Sequence, residues 1–589
     1  MLRWVCAPAA EAGAAPAAGQ RRDPADPVRG VRTPGESEQV VSDVDVEAVP
    51  TPSEDAPRHP DQQAPPWWQV RLPNALTGLL LLLMSWFVLA QGRFHGRTYD
   101  EYMQDDYGAR VLKFYLTWGE DRSFLDFPDY IYMPQHGSGA EVIIAFFQHL
   151  TGEVWQTRTV VGGVMGVLGI LIMALAGREM AGPWGGFAAA LGLALYPRYT
   201  GQLTNNSKDI PLAAAMLLVL WLVLRLMRRW SQPDRKHEVL ELAAIGASIG
   251  FAASIRVTSL LWFGLLGLLA LGYWVRHGRR LRGAALRTEL SNQFSAAIVI
   301  APTAYLVMSL MWPYLLTNPG DGLKSSIESM SKYNWDHDIM FAGEMVRSTD
   351  LPWDFAPRWL VVGSPLPVIA LTVAAAVAAV VALVRRQRLD GRLLLIGAYI
   401  VVPILMVVVA HATLYNGLRH FLFVVPGMLL LSATVLVRWI RQSFDSGRAV
   451  LALALIGAAV LGQAEVVVSS ARIYPYEYSY FSPLVGSYDR GHLNYESLYY
   501  GSCTRAAAVW LSENYAKYTS ETNPTFRDEN QWNSLAKADM PDNFVDIGDG
   551  TPLFRITSGE PGAGYREIHA EVLLGEKICR VSVLDPTAY

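Results

Sequence analysis

Five stretches of this chain, residues 76–90, 213–224, 259–271, 369–384 and 450–462, contain no charged residue at all. Each, with its flanks, supplies a helix of about 20 residues, enough to cross a hydrocarbon layer roughly 30 Å thick. A backbone in lipid must satisfy its own hydrogen bonds, so spans this apolar are helices and not barrel strands. The whole chain has 589 residues, 51% hydrophobic and 17% charged. Its fold class is therefore an all-α polytopic membrane protein. The net charge of -4 says little about partners, but no basic tract of the kind that binds nucleic acid appears outside the inter-helix loops, so no nucleic-acid partner is expected.

Residues 1–70 are rich in Ala, Pro, Gly, Asp and Glu and poor in large apolar groups. Such a segment buries too little surface to offset its ordering entropy, so it is expected to be a disordered tail. About eleven spans follow, at roughly 72–90, 158–176, 183–197, 209–226, 239–255, 257–274, 293–314, 361–383, 392–411, 418–437 and 449–468. The third and fifth are short and carry Gly, so either can be buried in protein without spanning. The membrane domain then covers residues 71–468, with outer loops at 91–157 and 315–360.

Orientation follows from four basic loops. Arg225, Arg228, Arg229, Arg235 and Lys236 form one; Arg276, Arg279, Arg280, Arg282 and Arg287 a second. Arg385, Arg386, Arg388 and Arg392 form a third, and Arg438, Arg441 and Arg448 a fourth. With these spans all four fall on one side, which the positive-inside rule makes cytoplasmic. The N-terminus is then cytoplasmic and residues 469–589 lie outside, in a plasma (inner) membrane. Tyr107, Val111, Phe114, Tyr115 and Trp118 are spaced for a helix lying along the outer interface. Residues 506–515 read as helix and 578–584 as strand, so the C-terminal stretch is expected to be a small extracytoplasmic α+β domain. Its two cysteines, Cys503 and Cys579, share an oxidising compartment and are expected to form a disulfide.

The spans keep ionisable groups out of their middles, where each costs roughly 2.5–3.5 kcal/mol. Lys208, Asp209, Arg256, His411, Arg419, His420 and Glu465 all sit at outer ends, as an outward-opening cavity requires and a conduction path does not. Asp100 and Glu101 follow the first span closely. Adjacent carboxylates there can deprotonate an acceptor hydroxyl or hold a divalent ion. They can equally be the solvated first turn of the interfacial helix, complementing its dipole; Asp105 and Asp106 fit that solvated reading better. Asn205-Asn206-Ser207-Lys208-Asp209-Ile210-Pro211 reads as a helix start, capped by Asn206 or Ser207, with Pro in the first turn. The dipole accounts for Asp209 but disfavours Lys208, which calls for a phosphate or carboxylate partner. Arg419 and His420 open another span, where a guanidinium can grip a phosphate or snorkel to the headgroups. Arg256 is a weaker case of the same kind.

Tyr99-Asp100-Glu101, Asn206-Ser207-Lys208-Asp209-Ile210-Pro211 and Arg419-His420, in that order, resemble the GT-C glycosyltransferases. The similarity is to their protein O-mannosyltransferase-like and aminoarabinose-transferase-like branch, glycosyltransferase family 39. Leu351-Pro352-Trp353 with Pro365-Leu366-Pro367, and Tyr474-Pro475-Tyr476-Glu477-Tyr478 with Tyr480-Phe481, resemble bacterial members. The likeness covers roughly residues 72–510. It implies a polyprenyl-phosphate-linked sugar donor, membrane lipids as surroundings, and an extracytoplasmic lipid, glycan or protein acceptor. It also implies an essential acid in the first outer loop, which maps to Asp100 with Glu101 beside it. Lys208, Asp209, Arg256, Arg419 and His420 are then candidate contacts for the donor phosphate. The sequence requires no cofactor, and a divalent metal at Asp100 and Glu101 is compatible with it. The lumenal repeat domain of eukaryotic protein mannosyltransferases has no counterpart here. A transporter or lipid flippase is the alternative class, but neither internal repeats nor mid-depth charges support it.

The topology is testable directly. Reporter fusions after residues 230, 283 and 388 are expected to report cytoplasm, and fusions after 340 and 480 the outside. A cytoplasmic C-terminus would overturn the span assignment.

Overall fold

The computed structural model describes residues 66–128, 132–230, 239–278, 281–331, 333, 335–530, 535–548, 550–585 and 587. Residues 1–65 of the expected tail lie outside this set, as do Arg235, Lys236, Arg279 and Arg280 of the basic loops. The last residues assigned to the tail are instead helical, because α1 (Trp67–Gln91) already begins at Trp67.

In chain order α2 (Tyr99–Leu116) and α3 (Gly139–Thr151) come next, then α4 (Trp155–Ala194) and the short α5 (Pro197–Thr200). The membrane run continues with α6 (Asp209–Trp230), α7 (Val239–Ile255), α8 (Leu261–His277) and α9 (Gly283–Met311). After them come α10 (Tyr314–Thr317), α11 (Gly322–Ser331), the hairpin β1 (Asp338–Phe341) and β2 (Glu344–Arg347), and α12 (Phe355–Val362). Then follow α13 (Leu366–Val384), α14 (Gly391–Ala410), α15 (Val425–Asp445) and α16 (Ala449–Ile473). Among the described residues, nine helices are long and apolar enough to cross a membrane. They are α1, α4, α6, α8, α9, α13, α14, α15 and α16, some with a turn of 3-10 helix attached. The central α6 and α15 are largely buried, whereas α1 and α16 keep most of their apolar surface on the outside, as lipid-facing helices do.

The nine differ from the expected eleven at two places. Val239–Ile255, at 17 residues, is shorter than a typical span. The segments 158–176 and 183–197 form the single 40-residue run α4, which is interrupted at Ala181 (φ -142°) and Gly182 (φ 72°), just before Pro183. This run is not straight. A Cβ placed on Gly177 would lie 2.4 Å from the Gly185 carbonyl oxygen and 2.7 Å from the Ala189 Cβ. In a continuous helix residues eight apart are about 12 Å apart along the axis. The run is therefore a hairpin of two antiparallel helices, packed backbone to backbone through glycines.

The hairpin turn sits at the basic end of the bundle. Arg438 donates to the Met180 carbonyl (3.0 Å), Arg228 pairs with Glu179 (2.9 Å), and Arg229 pairs with Glu241 at the start of α7 (3.0 Å). Arg438 also lies 3.6 Å from Asp390, which caps α14. Gly246 packs on Ile300 and Gly250 on Ala304, so α7 and α9 run parallel and begin at this same end.

The C-terminal part carries α17 (Ser487–Gly491), α18 (Cys503–Asn514) and five strands: β3 (Thr525–Asp528), β4 (Val545–Asp546), β5 (Phe554–Thr557), β6 (Tyr565–Leu573) and β7 (Glu576–Leu584). The sheet order is β4-β3-β5-β7-β6, with β3 parallel to both β4 and β5 and the β5–β7 and β6–β7 pairs antiparallel. A disulfide between Cys503 and Cys579 ties α18 to β7. Asp539 accepts from both Arg97 and Arg505, so the unit is joined to the loop that leads into α2.

Because the α4 hairpin leaves no room for a side chain at its contact, Gly177→Leu is expected to destabilise the protein by at least ~1–3 kcal/mol, the usual range for overpacking. Gly264→Leu, where a Cβ meets nothing within 4 Å, is the control. A lowered thermal midpoint for the first variant alone is the expected result.

Candidate active site at the non-basic helix ends

Two local devices start the helices that carry the acidic residues. At α2, Thr98 and Glu101 form a reciprocal capping box, in which the Thr98 N–H donates to Glu101 Oε2 (3.1 Å). At α6, the Asn206 side-chain oxygen accepts from the Asp209 N–H (2.8 Å) and the Lys208 N–H (3.3 Å). Asn206, rather than Ser207, is thus the cap.

Asp209 is buried, and both its oxygens are paired. Oδ2 accepts from Arg419 Nε (2.9 Å) and Asn206 Nδ2 (3.0 Å), and Oδ1 from Arg256 Nη2 (2.7 Å). Arg419 extends its other arm, through Nη2, to Asp100 Oδ2. Four elements separated in sequence converge here: the start of α2, the start of α6, the α7–α8 link and the α14–α15 link. Asp100 keeps 26% of its side chain exposed, whereas Arg419 keeps 6% and Asp209 1%. The partly open carboxylate is thus at the rim and the closed one at the base.

Aromatic and amide groups line the same place. Arg419 lies over the Tyr500 ring (5.5 Å), whose hydroxyl accepts from Asn206 Nδ2 (2.9 Å) and donates to Gln202 (2.8 Å). Asn416 donates to the Tyr99 hydroxyl, one residue before Asp100. Lys208 Nζ is 3.2 Å from His136 Nδ1. Burial first, then the neighbouring Arg256, pushes the Lys208 ammonium down to about 7, against the opposing pull of Asp209. Burial and the surrounding cations hold His136 well below its ordinary value. His420 packs edge-on against Tyr415 (4.8 Å), with a buried Nδ1 that has no hydrogen-bond partner among the described residues.

Asp100, Asp209, Arg256 and Arg419 therefore form one connected group, with Lys208 and His420 alongside. Glu101 points elsewhere. Its Oε1 accepts from Arg158 Nε (3.1 Å), and Arg158 also lies 2.8 Å from Glu141 and 3.7 Å from Asp105. Ser207 joins this second group, accepting from Arg158 (2.6 Å) and donating to Glu141 (2.6 Å). Burial pushes the Glu101 carboxyl up to about 7 although Arg158 and the Thr98 N–H oppose the shift. Adjacent in sequence, Asp100 and Glu101 are engaged by different arginines. Among the described residues, no group of three His, Cys, Asp or Glu side chains is arranged to hold a metal ion. Glu465 lies apart from both groups: it accepts from Ser469 on its own helix (2.6 Å) and neighbours the Tyr480 hydroxyl.

Sequence reasoning missed Arg158, Glu141, His136, Tyr500 and Glu496. Arg158 opens the second span, and the end-of-span rule that singled out Arg256 applies to it equally. The others carry no signal in one dimension.

A sequence model of the family described as dolichyl-phosphate-mannose-protein mannosyltransferase matches residues 135–306. The match runs from just before α3 into α9. The matched segment contains His136, Glu141, Arg158, Lys208, Asp209 and Arg256 of the two groups above. Among solved structures, ArnT from Cupriavidus metallidurans in the apo state is 14% identical, with a TM-score of 0.45 over 86% of this chain and 98% of that one. The same protein bound to undecaprenyl phosphate is 16% identical, with a TM-score of 0.43 over 86% and 97%. The Archaeoglobus fulgidus oligosaccharyltransferase in the apo form is 10% identical, with a TM-score of 0.47 over 80% and 64%. No curated protein matches the sequence.

Removing Arg158 would leave Glu101 and Glu141 buried without their counter-charge. Arg158→Met is expected to lower stability by about 3–5 kcal/mol, as breaking a buried pair from one side does. A denaturation midpoint equal to that of the unaltered protein would contradict this.

Proposed function

We propose that the chain transfers a hexosyl or pentosyl group from a polyprenyl-phosphate-linked donor to a hydroxyl of an extracytoplasmic lipid, glycan or protein. The observation that carries this reading is the Asp100–Arg419–Asp209–Arg256 group at the non-basic end of the bundle. A polyprenyl phosphate buries its chain in lipid and keeps its reactive bond at headgroup depth, which is where helix ends lie. On this reading the end carrying these groups faces the outside of the plasma membrane, and the basic end faces the cytoplasm.

The chemistry follows from the pairing. Asp209 is fully engaged and serves to hold two guanidiniums. Arg419 binds Asp100, and a donor phosphate competes for that same guanidinium, with Lys208 adding charge. Engaging Arg419 with phosphate releases the Asp100 carboxylate toward the acceptor. The acceptor oxygen then attacks the anomeric carbon, its proton passes to Asp100, and the bond from that carbon to the phosphate oxygen breaks. The lipid phosphate leaves with the electron pair, its charge met by Arg256, Arg419 and Lys208. The result is inversion at the anomeric centre. Glu101, committed to the capping box and to Arg158, supports the start of α2.

A conduction path needs polar groups at mid-depth, and the charges found here sit at the two ends. That distribution speaks against the transporter reading.

Asp100→Asn keeps the shape and removes the base. Transfer from a lipid-linked sugar in membranes is expected to fall at least ~100-fold, the lower end of general-base contributions, with normal insertion. Running the assay with and without a chelator tests whether a divalent ion joins Asp100. Turnover by Asp100→Asn equal to that of the unaltered enzyme would remove Asp100 from this role.

A further inference from the structure

Arg419 reaches Asp100 from a turn that is conformationally demanding. Asn416 (φ 57°) and Gly417 (φ 63°) are both in the left-handed region. Asn416 is one of the few residue types other than Gly that tolerates it. Gly417 has a second constraint, since a Cβ there would lie 3.2 Å from the Trp359 ring and 3.4 Å from Tyr499. Adjacent backbone N–H groups in a tight turn can point to one side and make a concave anion site, a nest.

A carboxylate from this same chain fills that nest. Glu496 Oε2 accepts from the Gly417 N–H (3.2 Å), and the Asn416 N–H is a second donor to it. The Glu496 backbone is anchored independently of its side chain. Its N–H donates to the Met340 carbonyl (3.1 Å), and the neighbouring Tyr495 bridges to Phe341 of β1. The carboxylate is largely desolvated, which pushes it up to about 7 while the two N–H groups pull the other way. Burying a carboxylate is unfavourable unless it gains specific partners, and its partners here belong to the turn before Arg419. From its other side the same turn reaches the residue before Asp100, where Asn416 donates to the Tyr99 hydroxyl.

We propose that Glu496 is a positioning residue for the transfer site: by filling the Asn416–Gly417 nest, it holds the turn that aims Arg419 at Asp100. This rests on the reading of Asp100 and Arg419 as the reactive pair. It also gives the segment after the last span a part in the site, together with Tyr500, which packs under the same guanidinium.

The test uses the full chain in nanodiscs, with undecaprenyl phosphate as the binding probe. Glu496→Gln keeps the size and loses the charge. Hydrogen exchange over residues 412–424 is expected to quicken about tenfold, the effect of losing one charge-assisted hydrogen bond, with the C-terminal sheet unaffected. Affinity for the probe should fall about tenfold in the otherwise unaltered protein and should not fall further when Arg419→Lys is already present. Unchanged exchange in 412–424, or equal weakening in both backgrounds, would overturn the proposal. If the unaltered protein does not bind the probe, the donor class fails, and the exchange measurement alone decides the role of Glu496. Should Glu496→Gln fail to insert, Glu496→Asp carries the same exchange readout. Its carboxylate is one bond too short for the nest, and protection equal to that of the unaltered protein would again overturn the proposal.

Discussion

Asp209 is the interaction around which the non-basic end of the bundle is organised. A buried carboxylate is tolerable only if it is paired and its lone pairs are satisfied. Here the α6 cap supplies Asn206, the α7–α8 link supplies Arg256 and the α14–α15 link supplies Arg419. Each of these segments is thereby fixed relative to the start of α6. The guanidinium fork matters, because Arg419 uses Nε for Asp209 and still has Nη2 for Asp100. The rim carboxylate is thus oriented by a group that the basal carboxylate holds in place.

The second buried group, around Arg158, has a different task. It secures the beginnings of α2, α3 and α4 against Ser207, at the start of α6. Consecutive helical residues point about 100° apart. Asp100 and Glu101 therefore serve separate groups: one faces Arg419 at the rim, and the other closes a cap and meets Arg158 in the interior. At the opposite end the α4 hairpin solves a related problem without charge. Small residues bring two helical backbones into contact, as they do where lipid offers no hydrophobic drive for helices to associate.

Much of this was legible in one dimension. Runs without charge marked the helices, and the basic loops gather at one end, with Arg228, Arg229 and Arg438 now in contact with neighbouring elements there. Helix-start chemistry at Asn206 and Thr98 was readable because capping is a local affair of three or four residues. Placing ionisable groups at span ends singled out Asp209, Arg256 and Arg419, which do meet. The same rule should have included Arg158. It could not distinguish the acid that remains accessible from the one that is sealed, and helix length alone did not reproduce eleven spans.

The sequence by itself determined what lies in lipid, which ends carry charge and where helices begin, because hydropathy and capping are energies of neighbouring residues. Only the tertiary structure decided who pairs with whom. That Glu496 fills a turn 79 residues upstream, that Tyr500 lies beneath Arg419, and that Glu101 answers to Arg158 rather than to Asp100 are consequences of packing. A buried charge takes whichever partner the assembled helices bring within reach, and no spacing along the chain encodes that distance.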